Sequence, residues 1–169
     1  VFQSASVARR TVIKYQPCGK PRTLYATLSS TSLKKEMKEI SDIIELQTNT
    51  ETERLFFSTK YLVQINFTFA LTVKSDNFSG TSHFCVRRDE IETLCNDLSK
   101  MHSALEGTAR LDDNDSDGFV EFNIEHNGRL NINGQVGGSH EDHFMKFKFQ
   151  SDQTSIPKFV QDFNALLLN

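Results

Sequence analysis

Tyr61-Leu62-Val63-Gln64-Ile65-Asn66-Phe67-Thr68-Phe69-Ala70-Leu71-Thr72-Val73-Lys74 carries the clearest pattern in the chain. Tyr61, Val63, Ile65, Phe67, Phe69, Leu71 and Val73 hold every odd position, with Gln64, Asn66, Thr68, Thr72 and Lys74 between them. Successive side chains on a strand point to opposite faces, so period two of this length predicts one long strand, central in a sheet and buried on one face. Ser75-Asp76-Asn77 supplies a turn, and residues 81–87 read as the returning strand.

The pattern then changes period. Ile91, Leu94, Cys95, Leu98, Met101 and Leu105 form one apolar helical stripe. Asp89 with Glu92 reads as a capping box at its start, and Gly107 suits a left-handed end. Residues 108–111 add a short strand. Residues 119–126 alternate, with Val120, Phe122 and Ile124 on one face and Glu121, Asn123 and Glu125 on the other. Asn127-Gly128 predicts a two-residue type I′ hairpin into residues 129–136, where Leu130 and Ile132 face inward. Residues 144–150 follow, with Met145, Phe147 and Phe149 inward. Ser155 then caps a helix with Pro157 in its first turn and Ile156, Phe159, Val160, Phe163 and Leu167 as its stripe. The order β-β-α-β-β-β-β-α, with hairpins in place of crossovers, predicts an α+β fold: an antiparallel sheet carrying helices on one face.

Upstream the reading stays open. Leu33, Met37, Ile40 and Ile44 suit a helix, while β-branched Ile40, Ile43 and Ile44 permit a strand; residues 47–54 read as a loop. Charge divides the chain more sharply. Residues 1–36 hold seven basic side chains and one acid, a balance of +6, and residues 37–169 hold twelve basic and 21 acidic groups, a balance of −9. The expected division is a basic N-terminal extension or separate segment, 1–36, and an acidic α+β domain, 37–169, opening at Met37. The alternative for the arm is a hairpin of residues 7–15 with 22–28. Its basic, hydroxyl-rich composition also resembles an organellar transit peptide, against which Pro17 and Pro21 argue.

Composition excludes several classes. With 37% hydrophobic and 24% charged residues among 169, the chain has enough apolar side chains for a core, 14 of them Phe and none Trp. No apolar run approaches the ~18 residues of a membrane span. Cys18, Cys85 and Cys95 are widely spaced and read as reduced thiols in a cytoplasmic protein.

Among chemical motifs, Asp113-Asn114-Asp115-Ser116-Asp117-Gly118 starts like a calcium loop. The twelfth position, where an EF-hand places a bidentate glutamate, is Ile124, and a strand follows in place of a helix. A metal-binding module built on Asp113, Asp115 and Asp117 remains as the alternative function. His140-Glu141-Asp142-His143, with His126 across the sheet, lacks the helical HExxH spacing of a zinc site. There is no GxSxG, Walker loop or GxGxxG, so neither an enzyme nor a cofactor is expected. The basic residues of the arm lack interleaved aromatics, so no direct nucleic-acid partner is expected either.

Residues 61–168 resemble small bacterial α+β immunity proteins of polymorphic toxin systems, similar to those guarding against cell-wall-associated tRNase toxins. The resemblance rests on the long alternating strand followed by Phe78-Ser79-Gly80 and on the helix leading to Leu105-Glu106-Gly107-Thr108-Ala109-Arg110-Leu111. It also rests on the hairpin at Asn127-Gly128-Arg129-Leu130 and on Lys148-Phe149-Gln150-Ser151-Asp152-Gln153-Thr154 entering the last helix. It implies a non-enzymatic protein that binds and neutralises a cognate toxin domain, with no catalytic residue to carry over. The acidity independently suits occlusion of a basic nuclease cleft. The expected partner surface comprises Asp112, Asp113, Asp115, Asp117, Glu121, Glu125, Glu141 and Asp142, as exposed charges in turns and on the outer face of the 119–126 strand.

Overall fold

Nine strands and two helices follow one another in a computed structural model that describes residues 37–39, 42–126, 128–140 and 142–168. The expected arm, its alternative hairpin, Cys18, Asn127 and Glu141 lie outside the described residues. The order is β1 (Met37–Glu39), β2 (Ile43–Leu46), β3 (Glu53–Val63), β4 (Asn66–Ser75), β5 (Phe78–Arg87), α1 (Arg88–Ala104), β6 (Gly107–Asp112), β7 (Phe119–Ile124), β8 (Arg129–Val136), β9 (Met145–Asp152) and α2 (Ile156–Leu167). The fold is α+β and every strand pairing is antiparallel.

The strands form two sheets where the sequence reading had one. In the first, β3, β4 and β5 lie in order, with β1 and β2 pairing successive parts of the free edge of β3; the second runs β6-β7-β8-β9. The alternating stretch that opened the analysis is a hairpin and not one strand. Val63 pairs with Asn66 across Gln64-Ile65, and Gln64 takes a φ of 59°. Across a two-residue turn the inward parity switches: Leu62 lies opposite Phe67 and packs on the core, while Tyr61 and Val63 share the other face. Ile65, 56% exposed, occupies the turn where the pattern places a core residue. Two further boundaries move. Residues 53–54 belong to β3, and the open segment before them is strand in both β1 and β2.

Each sheet turns one face to a common core. Leu55, Phe57, Phe67, Phe69, Leu71, Val73, Phe84 and Val86 enter it from the first sheet, and Leu111, Val120, Phe122, Ile124, Leu130, Ile132, Phe147 and Phe149 from the second. Helix α1 adds Ile91, Leu94, Cys95, Leu98 and Met101, and α2 adds Ile156, Phe159, Phe163 and Leu166. Gly134 makes room within the row Leu111–Val120–Gly134–Phe147, since a Cβ there would stand 2.2 Å from the Phe119 carbonyl oxygen and 2.7 Å from the Phe147 ring.

The helix ends show where local rules won. Helix α1 starts before the expected cap. Arg87 is the N-cap and donates its backbone N–H to Glu90 Oε2 at 2.7 Å, so Glu90 fills the capping role assigned to Glu92. At the other end the C-cap in the left-handed conformation is Leu105, exposed there, and Gly107, expected in that role, takes a positive φ of 119° two residues on. Ser155 is the N-cap of α2 as expected but makes no side-chain cap bond, its hydroxyl donating to the Asp152 carbonyl at 2.7 Å. Asp152 Oδ1 accepts from the Thr154 N–H at 2.8 Å in the short 3-10 turn that leads into the helix. Arg88 Nη1 donates to the Leu167 carbonyl at 2.6 Å, satisfying an orphan acceptor at the C-terminus of α2. No helix of the described residues is long and apolar enough to cross a membrane.

Candidate functional site

The expected acidic residues separate into three places. Asp112 ends β6, Asp113, Asp115 and Asp117 lie in the loop to β7, and Asp142 lies in the loop from β8 to β9. Glu121 sits mid-strand on β7. Glu125 follows the other end of β7, six residues and roughly 20 Å away at strand rise, and does not belong with the rest. The turn that carries it closes through the Gly128 N–H to the Glu125 carbonyl at 2.8 Å and the Glu125 N–H to the Arg129 carbonyl at 3.1 Å, with Gly128 at a φ of 77°.

Asp113 overturns the expectation of an exposed charge: it is 7% exposed. Its Oδ1 accepts from the Cys85 N–H at 2.8 Å and the Asp115 N–H at 3.2 Å, and its Oδ2 from the Ser116 hydroxyl. The Asn114 N–H donates to the Cys85 carbonyl at 2.8 Å, and the Asp113 N–H to the Gly118 carbonyl at 2.9 Å closes the loop. This short side chain therefore ties the β6–β7 loop to the outer edge of β5. Aspartate suits the position because a buried backbone N–H without a partner costs about 1–3 kcal/mol.

Asp117 joins the second loop. It is exposed, and its carboxylate accepts from the Ser139 N–H at 2.6 Å and from the Ser139 hydroxyl. The loops at 112–118 and 137–142 thus become one unit. Gln135, buried at the end of β8, donates to the Gly137 carbonyl at 3.1 Å beneath it. The Ser139 N–H holds the Asp117 carboxyl below the usual carboxylate range. A group depressed in the folded state contributes stability above its unfolded pKa and loses it as pH falls through the folded one, so this link weakens only below about pH 4. The expected result is an Asp117 titration midpoint by NMR below that of a model aspartate, returning toward it in Ser139→Pro, which removes the N–H. Equal midpoints in the two proteins would refute the assignment.

Not every carboxylate here is unbalanced. Arg110 Nη2 pairs with Asp112 at 2.7 Å and Nη1 with Glu121 at 3.6 Å, and its guanidinium lies 3.9 Å from the Phe119 ring centroid. The Asp112 bond leads in raising the arginine's pKa further. On the outer face of the second sheet, Arg110, Glu121, Asn133 and Lys148 stand side by side in register, so that face carries both signs of charge. Asp115 and Asp142 are exposed and have no cationic partner among the described residues. The Asp115 carboxylate lies close enough to Cys85 to reinforce burial in raising that thiol's pKa. The sequence reading missed Asn114, Ser116 and Ser139; hydroxyl and amide residues between aspartates are the mark of side chains that bond to nearby backbone.

The alternative metal site does not assemble. Both oxygens of Asp113 and both of Asp117 are engaged by protein donors. Among the described residues no group of three or more His, Cys, Asp and Glu is placed to hold an ion. His126 is apart from His140 and pairs with Glu106 at 3.7 Å. An open hollow of about 560 Å³ lies between α1 and β6, lined by Asp97, Lys100, Met101, Thr108 and His126. Cys95 is a buried core residue whose thiol burial pushes up to about 11.

The α+β scaffold thus organises two loops around carboxylate-to-backbone bonds and leaves the Asp115 and Asp142 carboxylates outward. The chain belongs to the immunity protein WapI-like family, whose match covers residues 64–169, well over half its length. That span takes in β4 and β5 of the first sheet, the whole second sheet, both helices and both acidic loops. No curated protein and no solved structure matches the chain.

Proposed function

We propose that this immunity protein neutralises a cognate toxin domain, a basic nuclease, by seating its paired acidic loops over the toxin's cleft. The observation that carries the reading is the loop pair itself: Asp113 and Asp117 are spent on holding the backbone, so that Asp115 and Asp142 stand outward from an ordered support. A nuclease is basic where it holds phosphates, and fixed carboxylates opposite that surface accelerate encounter and occlude it without chemistry. The role requires no catalytic residue in the inhibitor. A nuclease harms the cell where its nucleic-acid substrate is, so the reading places the protein in the cytoplasm.

The test uses the purified cognate toxin domain. Asp115→Lys with Asp142→Lys is expected to slow association about tenfold at low salt and to flatten its salt dependence, with melting temperature nearly unchanged because neither side chain supports the fold. Asp113 is left out, since reversing it would bury a lysine. Association unchanged by the double reversal at low salt would remove electrostatic blockade as the mechanism.

A further inference from the structure

We infer that the exposed edge of β5, residues 78–83, pairs with an extended segment of the toxin domain and so adds a strand to the first sheet; the inference rests on the function proposed above. Strand β5 ends its sheet, and β4 pairs with it without a bulge from Ser75↔Phe78 to Asn66↔Arg87. The direction of its backbone groups follows from Cys85, whose N–H and C=O both point away from β4 and are taken by Asp113 Oδ1 and the Asn114 N–H. Residues two apart on a strand share that direction, so Ser79, Thr81 and His83 also present N–H and C=O outward. All three are exposed, and no backbone partner for these outward groups occurs among the described residues. Among the described residues, one end of this edge is thus paired and the other end is open.

Open edges are ordinarily protected by lysine, proline, bulges or a covering element. Strand β9, an edge of the second sheet, carries Lys146 and Lys148, and β6, the other edge, carries Arg110. Phe78-Ser79-Gly80-Thr81-Ser82-His83 has no lysine, arginine or proline. Its flanks select the occupant. Exposed Asp76 stands in the turn at one end and exposed Asp115 beside Cys85 at the other, and Phe78, 73% exposed, offers an apolar contact. A second copy pairing antiparallel would bring Asp115 of each chain toward Asp76 of the other, which like charges oppose. A basic strand from the toxin meets the same two carboxylates favourably. Main-chain bonds then supply affinity, and the acidic loops beside the edge supply orientation.

The experiment is amide hydrogen exchange of the full chain with and without the purified toxin domain, joined to binding by Thr81→Pro and Thr81→Ala. Exchange at Ser79, Thr81 and His83 is expected to slow about tenfold or more in the complex. Thr81→Pro is expected to weaken binding about tenfold or more, through the lost donor and the ring at the pairing edge, and Thr81→Ala less than about threefold. Both variants lose the 2.8 Å hydroxyl contact between Thr72 and Thr81, so the alanine form isolates the backbone effect. Proline is tolerated where its missing N–H faces solvent, and if Thr81→Pro fails to fold, exchange on the wild-type complex decides alone. A complex that forms with these amides unprotected overturns the strand addition and leaves the proposed function standing. Absence of any complex overturns both. Protection that appears on self-association without toxin replaces the toxin strand by a second copy and overturns the assigned occupant.

Discussion

Asp113→Ala is expected to destabilise the fold by about 2–4 kcal/mol, while Asp115→Ala, two residues along, stays within about 0.5 kcal/mol. The two aspartates belong to one acidic run and differ in what they touch. Asp113 accepts three hydrogen bonds at 7% exposure, one of them from the edge of β5 in the other sheet. Removing the carboxylate strands the Cys85 N–H, releases Ser116 and frees the loop that Asp117 fastens to Ser139. Asp113→Asn should lose less, because its amide oxygen can still accept from Cys85 and its NH2 can donate to the Ser116 hydroxyl. At roughly 3–5 °C per kcal/mol for a domain of this size, the alanine variant should melt about 10 °C below the parent. A difference under about 2 °C between the two alanine variants would mean that the loop is held by other contacts.

The acidic run illustrates what a sequence can and cannot reveal about a site. Asp112, Asp113, Asp115 and Asp117 look alike in a row, and alternation has no bearing on a loop. Their different roles follow from Cys85 and Ser139, which are 28 and 22 residues distant from their partners, so only the folded chain sorts them. The strands around them were legible because each has one wet face and one dry one. Val120, Phe122 and Ile124 are buried as the alternation required, and residues 129–136 form a strand with the predicted bounds. The helices were legible for the same reason at the other period, although in α2 the last buried stripe residue is Leu166 and not Leu167.

The misreading of the hairpin at 63–66 has a different cause. Val63-Gln64-Ile65-Asn66 contains no glycine or proline, and Tyr61, Val63 and Ile65 are apolar although they lie on the face opposite Phe67 or in the turn itself, so hydropathy carried no mark of the turn. On the other side of that turn, β3 hides its own pattern. Phe56 interrupts the alternation of Leu55, Phe57 and Thr59, and the register shifts between Thr59 and Tyr61. With β3 unread, the first sheet lost its central pairing, and two sheets were read as one.

That recovered strand supplies the ring on which the second large effect depends. Phe159→Ala in α2 is expected to cost about 3–5 kcal/mol, a large share of the 5–15 kcal/mol typical of a whole domain. Phe159 is fully buried, and its ring lies 6.1 Å from Phe57 of β3, 5.8 Å from Phe122 of β7 and 5.0 Å from Phe163 one turn along, the last edge to face. It is therefore the side chain through which α2 touches both sheets with aromatic contacts. Close packing prevents the neighbours from filling the space, because Phe57 is already held by Phe69, Phe84 and Phe163. Phe159→Leu keeps most of the volume and should recover more than half of the loss. Urea unfolding measures both variants, and a double-mutant cycle with Phe57→Leu should show coupling of about 0.5–1.5 kcal/mol if the two rings support one another across the sheet–helix boundary. A loss under about 1 kcal/mol for the alanine variant would mean that the sheets hold together without this ring, and the core would then be two adjoining clusters rather than one.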